Sequence, residues 1–232
     1  MQTRYVTDGD GEGWLFVVPD GERPEIVAGN RSRGWSLPMS LKVDLLRVEG
    51  GREYFKILEG RYSGRLASVR TRGAGQSYLT ATGSHQGAAM IRLNRRLQHL
   101  WFEGRGPFSA FTQASNPVPA GTHDIEIPDA PHVSPVVYRG TSPYFRSWFL
   151  IGHDLAVGRY LHLGFISHGC ATVRPEITQR SDPRLTTRSN DELGLPIPGV
   201  VPPVADWTAI YMYLIGRRKG DGKSVGSLLV TD

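Results

Sequence analysis

The sequence predicts a mainly β protein, and three observations predict it. Glycine (28) and proline (16) are frequent in the 232 residues and cut the chain into short pieces. Apolar and aromatic residues recur in runs of strand length. Regular helical periodicity is scarce. The length suits one large domain, or a domain of roughly 150 residues with a smaller appendage, and can bury a core without staples.

Residues 1–85 hold WLFVV (14–18), LKVDLLRV (41–48), REYFKILEG (52–60) and GRLASVR (64–70), separated by glycine turns. These read as short antiparallel strands joined by hairpins such as Glu49-Gly50-Gly51. The segment forms either a small β-module or extra strands on the main sheet, with 86–232 as the second unit. In AAMIRLNRRLQHLWFEG, two strands around the Asn94-Arg95-Arg96 turn fit better than a short amphipathic helix over 92–102. Pro117, Pro119 and Gly121 turn the chain into a strand over 122–127. SPYFRSWFLIGH (142–153) has the character of one buried strand ending at His153. Residues 175–205 carry six prolines and read as a long loop of the kind that covers a site. DWTAIYMYLIGRR is an apolar helix or strand with Asp206 placed to cap it, and SVGSLLV closes the chain as a strand.

The net charge of +5 comes almost wholly from arginine, since only Lys42, Lys56, Lys219 and Lys223 are lysines. No basic run exceeds Arg217-Arg218-Lys219, so the charge reads as spread over the surface, and no nucleic-acid partner is expected. No stretch approaches the roughly 20 apolar residues of a membrane span. The opening MQTRYVTDGDGEGWLFVV lacks a basic segment followed by an apolar one, so no secretory signal is read there.

Cys170 is the single cysteine, set in RYLHLGFISHGCATVRPE, and so has no disulfide partner within the chain. A thiol becomes a nucleophile as its thiolate, which a nearby cation, helix N-terminus or imidazole favours. His153, His162 and His168 lie within eighteen residues of it. His168 shares a face with the thiol if the segment is extended, and His153 reaches it if a neighbouring strand brings them together. Gly169 is open to backbone angles closed to other residues. Its N–H and that of Cys170 are candidates for an oxyanion hole. The plainer alternative is a small buried hydrophobe. His85, His99, His123 and His132 read as structural or surface residues, without metal-site spacing; no metal or cofactor is expected.

A histidine, a spacer, then Ser/Thr-His-Gly-Cys resembles the signature of the L,D-transpeptidase catalytic-domain family, also called YkuD-like. Here these are His153, Asp154–Ile166 and Ser167-His168-Gly169-Cys170. PVPAGTHDI (117–125), AAMIRLNRRLQHLWF and LGFISHGC resemble the family's other conserved segments, so the resemblance spans roughly 88–215. It departs in a slightly short spacer and in Thr172, where the family usually has Asn or Arg. It implies an L,D-transpeptidase-like β-sandwich or barrel with short helices, preceded by the β-rich N-terminal segment. It also implies a cysteine acyltransferase that attacks the tetrapeptide stem of peptidoglycan through a thioester, in the cell envelope or periplasm. The thioester passes to an amine (cross-linking or D-amino-acid exchange) or to water (L,D-carboxypeptidase). In that scheme Cys170 is the nucleophile, His153 the base oriented by the Asp154 carbonyl, and His162 a less favoured base. His168 lines the site, Ser167 steadies the loop, Gly169 and Cys170 supply oxyanion donors, and Arg174 holds a substrate carboxylate. Two other readings remain: an inactive cell-wall peptide-binding module of the same fold, and a secreted antibacterial effector with an immunity protein as partner.

Overall fold

The computed structural model describes residues 2–174 and 207–232. The proline-rich stretch read as a covering loop, and the cap Asp206, lie outside the described residues. The mainly β expectation holds: most regular structure is strand, arranged in two curled sheets.

The first sheet comprises β1 (Gln2–Val6), β2 (Trp14–Pro19), β3 (Trp35–Pro38), β4 (Lys42–Glu49), β5 (Arg52–Ile57), β6 (Leu66–Arg70) and β7 (Leu79–Thr80). A short helix α1 (Pro24–Gly29) interrupts it between β2 and β3. Its order is β3-β2-β6-β5-β4-β1-β7, with every ladder antiparallel. The β4–β5 hairpin turns at Gly50 and Gly51, as its sequence predicts. The sheet curls because the chain leaving β3 returns to β1, where the Ser40 N–H donates to the Val6 carbonyl at 2.8 Å.

The second sheet comprises β8 (Ala89–Asn94), β9 (His99–Phe102), β10 (Arg105–Phe111), β11 (Gly121–Glu126), β12 (Phe149–Leu150), β13 (Tyr160–Leu163), β14 (Ala171–Val173) and β15 (Ser224–Thr231). The order is β11-β15-β8-β9-β10-β14-β13-β12. An Ile125–Ile151 bridge, with the Gly152 N–H donating to the Asp124 carbonyl at 2.8 Å, joins its two edges. Closure of this kind removes exposed edges. Residues 88–102 form two strands and no helix: Asn94 Oδ1 accepts the Leu97 N–H and holds the turn.

The run 142–153 is a correction. Only β12 is strand; Pro143 has no N–H for a ladder, and the Ser147 N–H closes a turn onto the Tyr144 carbonyl. Tyr144 and Phe149 pack instead against α2 (Trp207–Ile215), where the WTAIYMYLI run forms a helix. Trp207, Ile210, Tyr211, Leu214 and Ile215 form its buried stripe, at the spacing one helix face requires. Phe149 meets Trp207 edge-on, and Tyr144 stacks on Tyr211 at 4.2 Å.

One hydrophobic cluster runs through both sheets, from Val17, Val43 and Phe55 to Ile91, Leu161 and Val173. A buried ion pair also joins them. Arg218, just after α2, donates to Glu59 Oε1 at 2.7 Å, and the same oxygen accepts the Lys42 N–H at 2.8 Å. Removing one partner leaves the other charge buried and unpaired. Glu59→Ala is therefore expected to cost roughly 3 kcal/mol in urea unfolding, and the double change Glu59→Met/Arg218→Met much less. Equal losses would show that the pair does not couple the sheets.

Candidate active site

The parallel β13–β14 ladder pairs Leu161 with Ala171, His162 with Thr172 and Leu163 with Val173. Leu161, Leu163, Ala171 and Val173 face the core. Alternation then turns Tyr160, His162, Cys170 and Thr172 to the other face. One step before the first pair the register brings Tyr160 opposite Cys170, and the Tyr160 N–H donates to Sγ at 3.4 Å.

The turn that delivers Cys170 is tied by several bonds. Ser167 Oγ donates to the Cys170 carbonyl at 2.8 Å, closing the turn on itself. Gly169 has φ +91°, the left-handed region that favours glycine, and a Cβ there would lie 2.7 Å from Asn116 Nδ2. Arg159, at the entrance to β13, donates to the carbonyls of Pro117 and of Gly169, the latter at 3.4 Å, and to Asn116 Oδ1 at 2.8 Å. His168 is the exposed member of the four.

Cys170 is only 7 % exposed, and burial pushes its thiol up from the ordinary value. The backbone N–H groups of Tyr160 and His168 and the charge of Arg159 act in the opposite direction without overcoming burial. The resting group is the thiol.

The histidines are placed differently from what the motif implies. His153 is 56 % exposed and faces β11: Nδ1 donates to Glu126 at 2.5 Å and Nε2 to Asp124 at 2.8 Å. Gly152, at φ +77°, turns the ring that way directly after the barrel-closing bridge. Lys219 also donates to Asp124, at 2.5 Å. Glu126 first, then Asp124, hold His153 above the ordinary histidine value and favour its charged form. The Asp154 carbonyl does not orient this ring. It accepts the Gly158 N–H, and the Asp154 side chain accepts the Ala156 N–H at 2.8 Å. β13 lies between β12 and β14, which separates the strand leading to His153 from that of Cys170 by about 10 Å.

His162 stands diagonally across the ladder from Cys170. It is buried, donates from Nδ1 to the Leu163 carbonyl at 3.0 Å and accepts from Thr172 Oγ1 at Nε2, 3.2 Å away. Burial pulls it down to about 4, so it is neutral. Trp148 stacks on it at 4.3 Å, and His132 also stacks on Trp148, at 4.5 Å. Tyr160 meets His132 edge-on, Asp129 accepts from His132 at 3.3 Å, and Arg61 of the first sheet bonds Asp129. Arg174, expected at a substrate carboxylate, is buried instead. It donates to Ser109 Oγ and Gln98 Oε1, lies over the Phe111 ring, and is pulled down to about 10 by burial.

Compared with models of protein families, with curated proteins and with solved structures, the chain finds no match. The chemistry of the site therefore rests on its own geometry. That geometry unites Ser167, Gly169 and Cys170 with Arg159 and Asn116, sets His162 on the adjoining strand, and holds His153 at β11. The motif did not point to Arg159, Asn116, Tyr160 or His132. The Tyr160/His162 alternation in RYLHL was the one sequence signal that any of them shared a face with the thiol.

Two outcomes follow. Gly169→Ala places a Cβ against Asn116 in an unfavourable backbone region, at a cost of order 1–3 kcal/mol; thermal unfolding should show a lowered Tm, and an unchanged Tm would mean that the turn relaxes freely. His153 has a folded pKa above its unfolded value of about 6.5. Its contribution is fully present below that pH and is lost as pH rises through the higher folded value. The Tm difference between wild type and His153→Gln should shrink from about pH 6 to pH 9; a constant difference would contradict a charged clasp.

Proposed function

We propose that this chain is a cysteine acyltransferase of L,D-transpeptidase type, acting on the tetrapeptide stem of peptidoglycan with Cys170 as nucleophile. The observation that carries the reading is the place of the sulfur, at a glycine turn held from both sides, where two backbone N–H groups and the Arg159 guanidinium work toward the thiolate against the burial that keeps the resting group a thiol. The sulfur attacks the carbonyl of the third stem residue, the C–S bond forms, and the C–N bond to the terminal D-alanine breaks. The thiol proton leaves with the D-alanine amine. An amine or water then takes the acyl group and restores the thiol.

An imidazole carries that proton in the scheme the resemblance implies. For His153 to do so, its ring has to leave Asp124 and Glu126 and the 152–158 segment has to swing toward β14. His162 is nearer by register, but both its nitrogens are bonded and its low basicity suits it poorly to the task. A specific observation favours a second reading, a cell-wall peptide-binding module without turnover: among the described residues no ring nitrogen bonds to Sγ, and the thiol is almost fully buried.

Purified disaccharide-tetrapeptide, incubated with the protein with and without D-amino acids and followed by product mass, separates hydrolysis, exchange and cross-linking. The expected result is loss or replacement of D-alanine, abolished in Cys170→Ala. Equal activity in that variant would remove the mechanism. Binding of the muropeptide with no change of mass would establish the module reading in its place.

A further inference from the structure

We infer that Arg159 is a positioning residue for the nucleophile, tying the turn of Cys170 to the 116–117 loop and holding a cation at the Gly169 carbonyl, one residue from the sulfur. This rests on the reading of Cys170 as the reactive group.

The geometry is that of a three-way clamp. One guanidinium nitrogen bonds the carbonyls of both Pro117 and Gly169, and the other bonds Asn116 Oδ1. Asn116 in turn fills the space against Gly169 where a side chain would otherwise stand, with its Nδ2 2.7 Å from an ideal Cβ. The planar fork of arginine suits such a set of oxygens; the point charge of lysine satisfies it less well. Holding the Gly169 carbonyl fixes the peptide between Gly169 and Cys170, and with it the direction of the Cys170 N–H. The Tyr160 N–H, one residue along from Arg159, reaches the sulfur itself. One short segment therefore supplies both the clamp and a donor to Sγ.

His153 and His162 have their ring nitrogens bonded elsewhere, His153 to carboxylates and His162 to Leu163 and Thr172, while His168, two residues before the thiol, is exposed. Arg159 is the charged side chain that bonds the turn of Cys170 directly, through the Gly169 carbonyl.

Because Cys170 is the single cysteine, its titration is read directly as ultraviolet thiolate absorbance, taken as the difference from Cys170→Ser. Arg159→Gln is expected to raise the midpoint by about one unit, a roughly tenfold smaller thiolate fraction at neutral pH. Arg159→Lys, which keeps the charge but not the fork, should stay nearer to wild type. An unmoved midpoint in a folded Arg159→Gln protein would overturn the inference. Should that variant fail to fold, Asn116→Asp sets a carboxylate against the same guanidinium and must raise the midpoint; an unmoved midpoint there overturns it equally. No substrate enters the titration, so its result stands apart from the activity assay: a shifted midpoint with no turnover would sustain Arg159's role and reject the acyltransferase.

Discussion

The parallel pairing of β13 with β14 is the constraint on which the site depends. Its register sets Leu161 and Leu163 with Ala171 and Val173 into the core and turns Tyr160, His162, Cys170 and Thr172 the other way. A slip of one residue would turn the histidine and the thiol into the aliphatic core and the aliphatic set away from it. The apolar core therefore fixes the position of the sulfur as firmly as any bond made to it.

Closure of the second sheet and placement of His153 come from the same few residues. Ile151 bridges to Ile125, Gly152 bonds Asp124 and takes a left-handed turn, and the next side chain falls between Asp124 and Glu126. In this arrangement the histidine clasps the barrel seam between two carboxylates. The first sheet contributes more than bulk. Through Glu59 it holds Arg218, and through Arg61 it reaches Asp129, which holds His132 in the aromatic stack beside Tyr160.

Much of this was legible in the sequence. Strands such as β4, β5, β8 and β9 follow from alternation and from the Gly50-Gly51 and Asn94 turns, because local patterning and turn chemistry agree there. The 142–153 run misled because aromatic content marks burial, whereas Pro143 and the tertiary demand of α2 decide conformation. Gly169 was readable as a special backbone position. The partners of His153 were not: Asp124 and Glu126 lie on a strand whose alternation says which face they occupy but not what closes against it. Arg159 and Asn116 were invisible for a related reason, since an arginine forty-three positions from its partner asparagine carries no local signature.

The central claim is that Cys170 can open to an acyl donor and accept it. Intact-mass measurement after exposure to a carbapenem tests this most directly, because the drug acylates a competent nucleophile without needing a particular acceptor. One covalent adduct per chain, absent from Cys170→Ser, is the expected result. A folded protein whose mass does not change would contradict it.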